Sequence, residues 1–258
     1  MSEPDVTEDA LLGGRVRLRQ PRRGYRAAID PLFLAAAAPA GPDDRVLDAG
    51  MGAGAASLCL AARAPGCHVT GLELQPELAA LARENVVLNG LQDRIAVVEG
   101  DLLRPPDLAG GFDVVIANPP YLAAGGGTAS PRAGKALADM EGEAGLGDWI
   151  AFCARMARHK GHVVLIHRAD RLDGVLAALK QQGCGSVVLF PLWPRAGQAA
   201  RRVIVGARKG GRAPLVLAPG LVLHAADGRY TAAAERVLRD GAALPLRGIG
   251  GGIGDWGR

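Results

Sequence analysis

Three glycines at alternate positions (Gly50, Gly52, Gly54) separate the apolar run Val46-Leu47-Asp48-Ala49 from an Ala/Leu-rich segment that reaches Arg63. Strand, glycine loop and helix in that order open a β-α-β unit that holds a nucleoside or dinucleotide. The alternation continues down the chain. Residues 68–74 read as a second strand carrying Glu73, and residues 76–88 as a helix with Leu78, Leu81 and Leu88 on one face, stopped by Asn89-Gly90. A third strand at 95–98 runs into Gly100-Asp101-Leu102, and a fourth spans 112–116. Later strands are expected at 161–166, 186–190 and 201–207, with helices at 148–158 and 172–182. The last two strands have no helix-length segment between them, so they should form an antiparallel pair at the sheet edge. The expected fold is α/β and Rossmann-like, a seven-stranded, mostly parallel sheet with that antiparallel edge pair.

Ligands of such sheets sit at the carboxyl ends of the strands. Gly50, Glu73, Asp101 and Asn118 stand at the ends of strands one to four, which makes this edge the expected site. The fourth strand ends in Asn118-Pro119-Pro120-Tyr121. Paired prolines stop ladder and helix alike, leaving a rigid turn with an amide side chain, a proline carbonyl and an aromatic face. The Asn118 side-chain oxygen and the Pro119 carbonyl can each accept one N–H of an NH2 group while Tyr121 stacks on the attached π-system. Holding both hydrogens draws the nitrogen lone pair out of conjugation. A plain Pro-Pro loop closing a core strand would look the same in sequence.

The glycine loop alone also satisfies a dinucleotide fingerprint, and Glu73 could hold a nicotinamide ribose. Three features favour S-adenosylmethionine instead. Asp48 lies just inside the first strand, where a carboxylate can hold an ammonium directly or through water. The glycines let the backbone approach a nucleoside that has no pyrophosphate. No hydride-transfer acid/base pair follows strand four. A nucleoside-binding interaction module without activity is the non-enzyme alternative.

Arginine is concentrated upstream of the first strand, six residues between Arg15 and Arg26. Arg15, Arg17 and Arg19 would share one strand face, and Val16 and Leu18 the other. Arg22, Arg23, Tyr25 and Arg26 follow as a basic turn with an aromatic, a pattern suited to RNA phosphates and bases. A charged edge strand that discourages aggregation is the equal alternative. Asp30 as N-cap and Pro31 at the first position then open a helix. The net charge of +4 leans only weakly towards a polyanion.

The 258 residues suit a single domain: a basic lead-in and helix at 1–44, with residues 1–14 frayed, then a cofactor-binding core at 45–208. Residues 209–258 would add a hairpin at 215–224, a short helix at 232–239 and a disordered glycine-rich tail from 248. The glycine-rich stretch 123–147 reads as a lid or as a plain loop. Four scattered cysteines and five histidines lack ligand spacing, so no metal is expected; His159 and His162, the nearest pair, would sit at a helix end. No apolar run approaches a membrane span and the first residues are acidic, so a cytoplasmic location without membrane contact is expected. A monomer is compatible with the sequence.

Val46 to Gly54, Glu73, Asp101 and Asn118-Pro119-Pro120-Tyr121 together resemble a class I S-adenosylmethionine-dependent methyltransferase over roughly residues 15–240. Within that class, Tyr25-Arg26-Ala27-Ala28-Ile29-Asp30-Pro31-Leu32-Phe33-Leu34 and its arginine-rich lead-in resemble the tRNA1(Val) (adenine-37-N6)-methyltransferase family. The resemblance implies N6 methylation of adenine in tRNA, with Asp48, Gly50, Gly52 and Gly54 on the methionyl end of the cofactor. Glu73 and Leu74 would hold its ribose, Asp101 and Leu102 its adenine, and Asn118, Pro119, Pro120 and Tyr121 would be catalytic. The same four-residue turn also occurs in methylases of release-factor glutamine and of guanine N2 in ribosomal RNA. Against the first stands the short, basic segment ahead of strand one; against the second, the lack of room for a duplicated domain.

Overall fold

The computed structural model describes residues 6–22, 26, 28–120, 144–244 and 246. β1 (Val6–Leu11) and β2 (Val16–Pro21) pair antiparallel as a separate two-stranded hairpin. Helix α1 (Asp30–Ala37) leads into β3 (Arg45–Ala49), α2 (Ala55–Arg63), β4 (His68–Glu73), α3 (Pro76–Leu88), β5 (Ile95–Glu99) and β6 (Phe112–Ala117). After the undescribed segment come α4 (Leu146–Met156), β7 (Ala157–Arg168), α5 (Leu172–Gln181), β8 (Cys184–Trp193) and β9 (Arg202–Lys209). Two short strands, β10 (Val216–Leu217) and β11 (Leu221–Val222), precede α6 (Ala232–Leu238).

The strand order is β10-β8-β9-β7-β6-β3-β4-β5, with β11 on the same side of β8 as β10. β3 to β7 run parallel, and β9 lies antiparallel between β7 and β8. Seven main strands and an antiparallel β8–β9 pair are therefore present as expected. Side chains alternate across the sheet with period two. Val46, Val114, Ile116, Val164 and Ile166 face the cluster shared with α1, α2, α3 and α6. Leu47, Val115, Ala117, Val163 and Leu165 face α4 and α5. Two helical layers thus cover both faces, as a parallel sheet requires.

Four local expectations are corrected. Residues 6–14 are not frayed: they form β1 and a 3-10 turn, because β2 is anchored from outside. Asn85 on α3 bonds the backbone N–H and C=O of Arg19, and Asn89, the C-cap one turn later, bonds those of Arg17, all at 2.7–2.9 Å. Four helical residues rise about 6 Å and two strand residues about 6.7 Å, so the pairs match. The 215–224 stretch is not a hairpin. β10 and β11 both run parallel to β8, and a Cβ on Gly220 would fall under 3.0 Å from the Pro191 carbonyl oxygen, so glycine there permits close approach. The N-cap of α1 is Ile29; Asp30 is inside the helix and its carboxylate takes Arg202 at 2.9 Å. His159 and His162 lie in β7, since α4 already ends at Met156. The 248–258 tail lies outside the described residues.

Candidate active site

The glycine loop after β3 is held from three sides. Gly50 and Met51 donate their N–H groups to the Leu72 carbonyl of β4, and Gly52 donates to Glu73 Oε2 at 2.8 Å. Glu73 Oε1 accepts the Gln75 N–H at 2.9 Å. Gly50, Gly52 and Gly54 have φ of +69°, +57° and +93°, a region closed to most side chains. A Cβ on Gly50 would come under 3.0 Å from Cη2 and Cζ3 of Trp149, which lies on α4. A Cβ on Gly52 would meet nothing within 4 Å. The loop therefore has a solid floor at Gly50 and an open approach at Gly52.

Asp48 is buried at the base of this cleft, and Ser57, in the first turn of α2, donates to its Oδ2 at 2.6 Å. Burial pushes the Asp48 carboxyl up to about 6; the Ser57 bond opposes this and the nearby Glu73 charge adds to it. Burial also raises Glu73, against backbone N–H bonds from Gln75, Gly52 and Leu74. Two inward-facing carboxylates above their ordinary values are poised to gain from a cation or a hydroxyl donor.

Asn118, half-buried just beyond β6, lines the same cleft as Asp48, Gly50, Gly52 and Leu78. Pro119 is buried and Pro120 half-buried behind it. Leu74, 43 % exposed, stands at the end of β4. Asp101 accepts the Leu103 N–H at 2.8 Å and pairs loosely with Arg104, while Leu102 packs partly on the core. The strand-end residues of β3, β4, β5 and β6 thus stand along one edge of the sheet. Tyr121 and residues 123–143 of the expected lid lie outside the described residues; residues 146–147 already belong to α4.

The arginine lead-in is largely paired within the chain. Arg17 and Arg19 meet Glu8, and Arg26 meets Asp9 at 2.7 Å, Thr7 and the Pro21 carbonyl. Arg22 is exposed at the end of β2, and Arg23 and Tyr25 lie outside the described residues. Sequence reasoning missed Ser57, Trp149 and the cleft wall formed by Gln20, Pro21, Pro31 and Leu34. Ser57 carried a signal, a hydroxyl at the start of the helix after the loop; the others depend on tertiary packing.

These residues fit S-adenosylmethionine. The donor set offers a buried carboxylate for an ammonium, a loop open at Gly52, and a glutamate whose remaining lone pairs can accept two hydroxyls. Fold and site define a class I S-adenosylmethionine-dependent methyltransferase. A family model described as a methyltransferase domain matches residues 46–129. The tRNA1(Val) (adenine(37)-N6)-methyltransferase of Aeromonas hydrophila is 32% identical over 81% of this chain and 87% of its own length. A release factor glutamine methyltransferase from Deinococcus radiodurans is 47% identical, over 38% of this chain and 31% of its own. Among solved structures, a predicted O-methyltransferase, protein Atu636 from Agrobacterium tumefaciens, superimposes with a TM-score of 0.69 at 28% identity, covering 83% of this chain and 98% of that one. The chain belongs to the tRNA1(Val) (adenine(37)-N6)-methyltransferase family, and its cofactor is S-adenosylmethionine.

Proposed function

We propose that the chain methylates N6 of adenine in tRNA, at position 37 of the anticodon loop in tRNA1(Val). The observation that carries this reading is Asn118, directly ahead of Pro119 and Pro120, lining the cleft of Asp48 and the glycine loop. The relatives that match most of the chain carry the same activity in their names. The local match to a glutamine methylase covers under two fifths of the chain and suits a shared cofactor core. The reading puts the protein in the cytoplasm with its substrate.

S-adenosylmethionine supplies an electrophilic methyl group on its sulfonium. Asp48 holds the methionyl ammonium, which favours the ionised carboxylate and offsets the burial that raises its pKa. Glu73 accepts the ribose hydroxyls beside Leu74, and Asp101 with Leu102 borders the adenine. At the substrate, Asn118 Oδ1 and the Pro119 carbonyl accept the two N–H bonds of the target amino group, Pro120 keeps the turn rigid, and Tyr121 stacks on the base. The nitrogen lone pair is thereby aimed along one line. Such orientation supplies most of the acceleration, a term that reaches roughly 7–11 kcal/mol in well-aligned reactions. As the methyl is given up, the S–C bond electrons would stay on sulfur as a neutral thioether; the amino proton, acidic only once its nitrogen is alkylated, would leave to solvent, so no strong general base is needed. An anticodon-loop adenine is cheaply unstacked, at a few kcal/mol or less. Gln20 and Pro21 line the cleft, and Arg22, Arg23, Tyr25 and Arg26, which follow them in the chain, would meet the RNA.

Asn118→Ala tests the assignment. Turnover on tRNA should fall by two orders of magnitude or more while calorimetry records nearly unchanged cofactor affinity. Loss of cofactor binding instead would refute the role given to the turn.

A further inference from the structure

Beyond the cleft, the carboxyl edge of the sheet carries a second cluster of arginines. β7 ends at Arg168, which pairs in register with Arg202 of β9, and Arg202 pairs with Leu192 of β8. Ala117 is level with Leu165, so strand rise and spacing put Arg168 roughly 10 Å from Asn118. The 3-10 turn Ala169–Arg171 follows β7, and the connection 194–201 joins β8 to β9 at the same edge. Arg171, Arg195 and Arg201 are exposed there. No ion pair among the described residues engages any of the three.

Neighbouring charges are already matched: Arg168 with Asp170, Arg202 with Asp30, and Arg229 with Asp227. Asp173, exposed at the start of α5, is the other acid nearby. The cluster is tight enough that Arg171, Arg202 and Arg168 all act on one buried imidazole, His167, and add to the burial that lowers its pKa. Its outer margin is the turn after β11, where the rings of His224 and Tyr230 stack with centroids 4.6 Å apart. The Arg195 guanidinium reaches that turn, 3.8 Å from where a Gly228 Cβ would stand. Unpaired guanidinium groups beside an aromatic stack suit a phosphate chain with splayed bases.

Resting on the tRNA reading above, we propose that the rim of Arg171, Arg195 and Arg201 grips the phosphates flanking the target adenine. The arginines on β2 spend much of their charge on Glu8, whereas these three are left for an outside anion. Three phosphate contacts predict a loss of about two in the slope of log affinity against log salt. The opposite end of the strands supplies the control, because Arg155 in the last turn of α4, Lys160 near the start of β7 and Arg212 just after β9 are also exposed.

The test uses bulk tRNA from a strain lacking this protein. With Arg171, Arg195 and Arg201 replaced together by Ala, KM for tRNA should rise 10- to 100-fold and the salt slope should fall by about two. Cofactor affinity, which also reports folding, and kcat at saturating tRNA should hold within about twofold. Replacing the same three by Lys should restore most of the affinity. The triple Ala variant of Arg155, Lys160 and Arg212 should change KM less than twofold. Unchanged KM and slope in the rim variant, or equal losses from both triples, would overturn the rim as a specific contact. A wild-type protein that neither binds nor methylates tRNA would overturn the function itself and the rim with it.

Discussion

Replacing Gly50 with Ala probes the contact between the glycine loop and α4. At φ +69° an alanine pays strain of about 1–2 kcal/mol. Its Cβ would also sit under 3.0 Å from two ring atoms of Trp149, and relieving such overpacking costs about 1–3 kcal/mol. The sum, about 2–5 kcal/mol, is a large part of a typical domain's stability and should lower Tm by roughly 5–15 °C. Trp149→Phe removes the outer ring that causes the overlap. It breaks no hydrogen bond among the described residues, because the buried Trp149 Nε1 has no partner there. In that background Gly50→Ala should cost only the strain, leaving a coupling energy of about 1–3 kcal/mol in a double-mutant cycle read by denaturant unfolding. An equal cost of Gly50→Ala in both backgrounds would refute the idea that Trp149 forms the floor of the loop.

Asp48 should make the cofactor-free protein pH-sensitive. Its folded pKa stands above its unfolded one, so its contribution to stability is greatest below pH about 4 and declines as the pH rises to about 6. Two units correspond to about 3 kcal/mol. The stability difference between wild type and Asp48→Asn should therefore shift by about that amount between pH 4 and 7, and a constant difference would contradict it. Because the bound ammonium needs the carboxylate, cofactor affinity should fall as the pH drops through about 6. Ser57→Ala removes the bond that opposes the shift and should move that midpoint upward, as titration calorimetry across pH would show. Glu73→Gln leaves one loop N–H facing an amide nitrogen, so cofactor affinity should drop 10- to 100-fold with about 1–3 kcal/mol of stability. Equal affinity would remove Glu73 from the cofactor site.

The core of the fold was legible because its signals are local. Val46 to Arg63 announces a strand, a loop and a helix within eighteen residues, and Pro76 to Gly90 shows both an apolar helix face and its stop. β1 was not legible: Val6-Thr7-Glu8-Asp9 has no clean alternation, and the hairpin is held through Asn85 and Asn89, more than sixty residues away. Pro219-Gly220 looks like a hairpin turn, yet the chain continues along β8, a choice set by the approach to Pro191. In the site, the acids and the amide at strand ends were readable because topology alone puts them on one edge. Trp149 and Gln20 were not, since only packing brings α4 and the first hairpin to the loop.

The central claim is tested most directly by methyl transfer from labelled S-adenosylmethionine to tRNA, ribosomal RNA and protein fractions of a strain lacking this protein. The account predicts label in tRNA, recovered as N6-methyladenosine after nuclease digestion. Label confined to the protein or ribosomal RNA fraction, or cofactor binding without transfer to any of the three, would contradict it.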